Sequence, residues 1–81
     1  MMNIKILGPG CANCVNLEKA AKQAASELGI EATFEKVTDY AEIFSYNIMS
    51  TPGLVVDDRV VLAGRVPTVR QVKEILAPLA G

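Results

Sequence analysis

The sequence predicts a single α/β domain whose elements run β-α-β-α-β-β-α. Three observations predict it. A Cys-x-x-Cys pair, Cys11-Ala12-Asn13-Cys14, opens a helix-like segment directly after a short apolar run, so a strand feeds a helix. Apolar runs and helix-periodic runs then alternate between Gly and Pro breaks at Gly8-Pro9-Gly10, Gly29 and Ser50-Thr51-Pro52-Gly53. Two capping signatures, Asp39 with Glu42 and Thr68 with Gln71, mark further helix starts. With 81 residues there is room for one core only, so residues 1–81 form one domain.

Each element has its own signal. Asn3 to Leu7 is apolar apart from Lys5 and reads as a buried first strand. Lys5 is either an edge or snorkelling lysine or a charge beneath the cysteine pair. The first helix runs from about Ala12 to Leu28. Its apolar stripe is Cys14, Leu17, Ala21, Ala24, Ala25 and Leu28, and Glu18 with Lys22 forms an i, i+4 pair on its polar face. Gly29 stands where a helix C′ residue belongs.

Ile30 to Val37 is the second strand, with Ala32, Phe34 and Lys36 alternating against Thr33, Glu35 and Val37. Short connections make a parallel βαβ unit the economical arrangement. Asp39 caps a second helix that reaches about Asn47, with Tyr40, Ile43, Phe44 and Ile48 as its core stripe and Tyr46 off the stripe and exposed. Leu54-Val55-Val56 and Val60-Val61-Leu62-Ala63 pair as a hairpin across Asp57-Asp58-Arg59. Gly64 ends the second hairpin strand in an unusual backbone angle. Thr68 to about Ala77 is the third helix, with Val69, Val72, Leu76 and Leu79 facing inward and Pro78 fraying or stopping it.

Composition narrows the function. Hydrophobic residues make up 51% of the chain, but the aromatics are two Tyr and two Phe, with no Trp, so small aliphatics must fill the core. The net charge is −1 with signs interspersed and no basic run, which argues against nucleic acid as a partner. No apolar stretch approaches the roughly 20 residues that span a bilayer. Met1-Met2-Asn3-Ile4-Lys5 is not a signal peptide, because no long apolar region follows. The expectation is a cytoplasmic monomer with no membrane partner. In that compartment paired cysteines are more often catalytic or metal-binding than structural. Histidine is absent, which removes the commonest general base and the Cys₂His₂ type of metal site.

The cysteine pair carries the chemistry. First-turn N–H groups of a helix have no intrahelical partner, and the aligned peptide dipoles make that end partly positive. Both effects favour a thiolate and can bring a cysteine pKa from about 8.5 to roughly 7 or below. Cys14 belongs to the apolar stripe and faces inward; Cys11 precedes it and is the more exposed. Cys11 is therefore the candidate nucleophile toward a partner disulfide, and Cys14 the thiol that resolves the mixed disulfide. By itself the spacing is also compatible with a metal site or an inert structural pair.

The element order, together with Gly10-Cys11-Ala12-Asn13-Cys14, Ser50-Thr51-Pro52-Gly53 and Ala63-Gly64-Arg65-Val66-Pro67-Thr68, resembles the thioredoxin fold across essentially the whole chain. It is most similar to the small, glutaredoxin-sized, thioredoxin-like redox-active disulfide proteins. The resemblance implies a four-stranded mixed sheet ordered 2-1-3-4 with helices on both faces, a cis Pro52 packed against the Cys-x-x-Cys, and a Thr51 backbone that pairs with an extended partner segment by strand addition. It further implies a partner surface built from Gly10, Ala12, Asn13, Thr51, Pro52 and Gly64. No cofactor is expected beyond a redox-active Cys11–Cys14 disulfide, with no resident metal. Partners are expected to be disulfide-containing proteins and a reductase. The best-known thioredoxins carry Trp before the first Cys, Gly-Pro between the two, and a buried acid on the preceding strand; the corresponding residues here are Gly10, Ala12-Asn13 and Lys5.

The competing reading is binding or transfer of a soft metal, Cu(I) or Zn, through the same two thiols. Such carrier domains run β-α-β-β-α-β, however, and place Met two residues before the first Cys, where this chain has Pro9. A non-catalytic adaptor and a [2Fe–2S] cluster bridging two chains are further alternatives.

Overall fold

The computed structural model describes residues 2–9, 12–48 and 50–80. The elements follow the expected order: β1 (Met2–Leu7), α1 (Ala12–Leu28), β2 (Ala32–Val37), α2 (Tyr40–Ser45), β3 (Gly53–Val56), β4 (Arg59–Ala63) and α3 (Val69–Ala80). The sheet is ordered β2-β1-β3-β4. β1 pairs parallel with β2 and antiparallel with β3, and β3 pairs antiparallel with β4.

Strand alternation divides the core in two. Ile4 and Ile6 of β1, with Leu54 and Val56 of β3, pack against Leu17, Ala21, Ala24 and Ala25 of α1 and Val72 and Leu76 of α3. Leu7, Val37 and Val55 point the other way and pack with Ile43 and Ile48 around the short α2. The alanines of α1 let that helix lie close to the sheet, which is how a chain with few aromatics closes its core.

The termini are set by local chemistry. Gly29 adopts φ 69°, and the Ile30 N–H bonds the Ala25 carbonyl at 2.9 Å, closing α1 as its C′ position demands. The Asp39 carboxylate accepts the Ala41 N–H at 3.0 Å. Thr68 and Gln71 exchange both capping-box bonds, Thr68 N–H to Gln71 Oε1 at 2.9 Å and Gln71 N–H to Thr68 Oγ1 at 3.2 Å. Asp57 and Asp58 sit at φ 50° and 67°, a two-residue hairpin turn of the kind whose twist matches paired strands.

Four expectations need correction. α2 stops at Ser45, because Asn47 takes the left-handed conformation at φ 62°. Tyr40 and Phe44 are more than half exposed and meet each other, ring centroids 5.9 Å apart, because a helix this short can bury only Ile43. Tyr46, expected to be exposed, is half-buried against the second cluster. Finally, α3 continues through Pro78 to Ala80, and Leu79 ends 49% exposed. A proline that close to the C-terminal end of a helix removes one backbone bond with few residues beyond it to disturb. Among the described residues no helix is long and apolar enough to cross a membrane.

Candidate active site

Three segments converge at one end of the sheet: the residues after β1, the first turn of α1, and the turn ahead of β3. Cys14 lies on that first turn and is 6% exposed, facing inward as the helical stripe requires. Gly8 runs against it. A Cβ built on Gly8 would overlap the Cys14 sulfur, and would lie 3.4 Å from Cys14 Cβ and 4.0 Å from Pro52 Cα. Only a glycine lets the backbone pass this close. Gly8 is held there by its N–H, which donates to the Val37 carbonyl at 2.9 Å.

The Thr51–Pro52 peptide bond is cis. Pro52 is buried and Thr51 half-buried. The Pro52 carbonyl accepts the Gly64 N–H at 2.9 Å, so the turn ahead of β3 is fastened to the residue that follows β4. Gly64 adopts φ 84°, and a Cβ there would meet Ser50 Cβ at 3.2 Å. Ala12 and Asn13 are exposed on the first turn of α1. The structure thus brings Cys14, Pro52 and Gly64 into one neighbourhood. Gly10 and Cys11 lie outside the described residues.

Lys5 lies on the sheet face opposite Cys14. It shares the sheet face of Leu7, toward α2. Its ammonium donates to Tyr46 Oη at 3.0 Å and lies 3.6 Å from Asp58 and 3.9 Å from Glu35. The Tyr46 bond, opposed by partial desolvation and supported by the Asp58 and Glu35 charges, raises its pKa above the ordinary lysine value. β1 is an interior strand, so this is a snorkelling lysine rather than an edge one. Sequence reasoning missed Gly8, which reads as one more turn residue in Gly-Pro-Gly. Its position directly after a strand and six residues before Cys14 was the available signal.

A family described as a thioredoxin domain matches residues 2–77. A thioredoxin from Methanothermobacter thermautotrophicus is 46% identical over 77 residues, which cover 95% of this chain and all of that protein. A thioredoxin from Methanocaldococcus jannaschii is 42% identical over 76 residues, covering 94% of this chain and 87% of its relative. Among solved structures, the germline-specific thioredoxin Deadhead from Drosophila melanogaster superposes with a TM-score of 0.65 over 96% of this chain and 80% of its own, at 18% identity. That last likeness is one of fold.

Proposed function

The chain belongs to the thioredoxin family, and from that premise we propose that it is a thiol–disulfide oxidoreductase acting on disulfides in protein partners. The observation that carries the reading is the convergence of Cys14, Gly8 and Pro52 where α1 meets the turn ahead of β3. A thiol on the first turn of a helix is placed for exchange chemistry, and a recessed one suits the resolving step.

In this reading the Cys11 thiolate attacks one sulfur of a partner disulfide. A Cys11–partner bond forms, the partner's S–S bond breaks, and the released sulfur takes up a proton. Cys14 then loses its proton and attacks Cys11 Sγ. The Cys11–Cys14 disulfide forms and the second partner sulfur leaves. Two electrons pass from the dithiol to the partner, and a reductase returns them. Thr51 offers its backbone to an extended partner segment, while Pro52, Gly64, Gly10, Ala12 and Asn13 shape the surface around it. The protein works in this way as a monomer in the cytoplasm, with no cofactor beyond the two cysteines.

The test is a thiol–disulfide equilibrium titration read by alkylation and mass, with and without a metal chelator. The expected result is a reversible two-electron transition indifferent to the chelator. In parallel, Cys14→Ser is expected to trap a mixed disulfide and Cys11→Ser to trap little. Thiols protected until a chelator is added would replace this reading with metal binding, and equal trapping by both variants would overturn the assigned roles.

A further inference from the structure

The turn that carries Thr51 and Pro52 follows a weak element. Ile43 is the one buried side chain of the six-residue α2, so that helix does little to fix what comes after it. Two fastenings stand in its place. On the β4 side the Gly64 N–H donates to the Pro52 carbonyl at 2.9 Å. On the α2 side the fastening is Tyr46, the residue after the helix. Its Oη accepts a hydrogen bond from the Lys5 ammonium at 3.0 Å, and that ammonium stands 5.7 Å from the centre of the ring. Lys5 belongs to β1, which pairs with a strand on each side, so the phenol is tied to the interior of the sheet.

Packing carries that tie forward to the turn. The Tyr46 ring lies against the cluster of Leu7, Val37, Ile43, Ile48 and Val55. Ile48 of that cluster presses on Gly53, where a Cβ would lie 2.9 Å from Ile48 Cδ1 and 3.4 Å from Leu7 Cβ. Gly53 directly follows Pro52. The ring therefore backs the side chain that backs the residue beside Pro52. Lys5 has two further partners, Asp58 at 3.6 Å and Glu35 at 3.9 Å, but both carboxylates are exposed, and such ion pairs contribute little. The bond to Tyr46 is partly buried and is the one that fixes the ammonium.

We infer that Tyr46, held by Lys5, is a positioning residue for disulfide recognition: the pair keeps the Thr51–Pro52 turn where its backbone meets an extended partner segment. The inference rests on the dithiol reading above and adds no chemical step to it. Lys5 lies across the sheet from Cys14, so its effect is on binding and not on the exchange of sulfurs. Without the bond, Tyr46 and Ile48 sample other positions. The apparent affinity for a partner then falls in proportion to the time the turn spends out of place.

The experiment follows single turnovers of the reduced full chain with two probes. Insulin presents disulfides within peptide segments; hydroxyethyl disulfide has no segment to pair. Tyr46→Phe keeps the ring and removes the bond. It should raise the half-saturating insulin concentration about threefold to tenfold, the worth of one hydrogen bond. The limiting rate, and the rate with hydroxyethyl disulfide, should stay within about twofold of the parent. Lys5→Met breaks the same bond from the other side, so the double variant should be no worse than either single one. Asp58→Asn takes a charge from Lys5 but spares the phenol bond, and should saturate like the parent. A further readout needs no turnover: the Gly64 amide should exchange faster in Tyr46→Phe, because the turn opens together with the bond. A folded Tyr46→Phe chain that saturates like the parent would overturn the inference. So would an equal loss with hydroxyethyl disulfide, or a Gly64 amide that keeps its rate while those of β1 quicken, since the bond would then serve only the fold as a whole. Failure of the dithiol reading shows separately, as a parent chain that reduces neither probe.

Discussion

Gly8 and Cys14 approach so closely that no side chain fits between them: the sulfur occupies the place where a Cβ on residue 8 would stand. The strand end and the thiol are therefore one packing unit. Gly8→Ala must displace either the first turn of α1 or the end of β1, a form of overpacking that costs about 1–3 kcal/mol. Urea unfolding should show a lowered midpoint, and the dithiol–disulfide equilibrium should shift in the same variant. An unchanged midpoint would mean that the first turn of α1 yields freely.

Two glycines with positive φ separate strain from function. Gly29 at φ 69° has open space where a Cβ would go, whereas Gly64 at φ 84° faces Ser50 and bonds the Pro52 carbonyl. Both Gly→Ala variants should lose about 1–2 kcal/mol of stability from the left-handed backbone alone. Only Gly64→Ala should also slow reduction of a protein disulfide. Equal rates for the two would remove Gly64 from the partner surface.

Helix α2 offers a contrast within two residues. Ile43→Ala opens a void in the second core cluster and should cost about 2–5 kcal/mol. Phe44→Ser, on an exposed ring, should stay within about 0.5 kcal/mol of the parent. Chemical denaturation of both variants checks the assignment of faces.

Acidification should weaken the ties of α1. Partial desolvation works against Glu18, but hydrogen bonds from Lys36 and Lys22 hold its pKa below the ordinary carboxylate range. The bond from Lys73 of α3, then that from Gln23, does the same for Glu27. A carboxylate whose folded pKa is depressed stabilises the fold above its unfolded value, and that stability is lost as pH falls through the folded value. The urea midpoint should therefore fall as pH drops below about 4.5, and the double variant Glu18→Gln, Glu27→Gln should show a shallower fall. Parallel curves would mean that these two pairs add nothing to the pH dependence.

Much of this was legible in the chain, and the reasons are local. Helix α1 is long enough for its stripe to average over many residues, so its span from Ala12 to Leu28 and the inward turn of Cys14 follow from periodicity. The box formed by Thr68 and Gln71 is a short-range pattern, and it forms as written. Helix α2 spans only Tyr40–Ser45, too few residues for a stripe to tell Ile43 from Tyr40 and Phe44. The contact of Gly8 with Cys14 depends on how strand and helix stack, which no local pattern encodes.

The two halves of the site hang from elements of unequal staying power. β1 is bonded on both edges and covered on both faces, so its amides open only when the whole molecule does. The turn bearing Thr51 and Pro52 follows α2, less than two helical turns with a single buried side chain inside it, and such an element opens by itself. Hydrogen exchange should accordingly be slowest in β1, beneath the sulfur, and fast in α2, which precedes the turn of Thr51 and Pro52. In the proposed dithiol reading, the chemistry would stand on a fixed floor while the element leading to the partner-facing turn yields to disulfides of different shape.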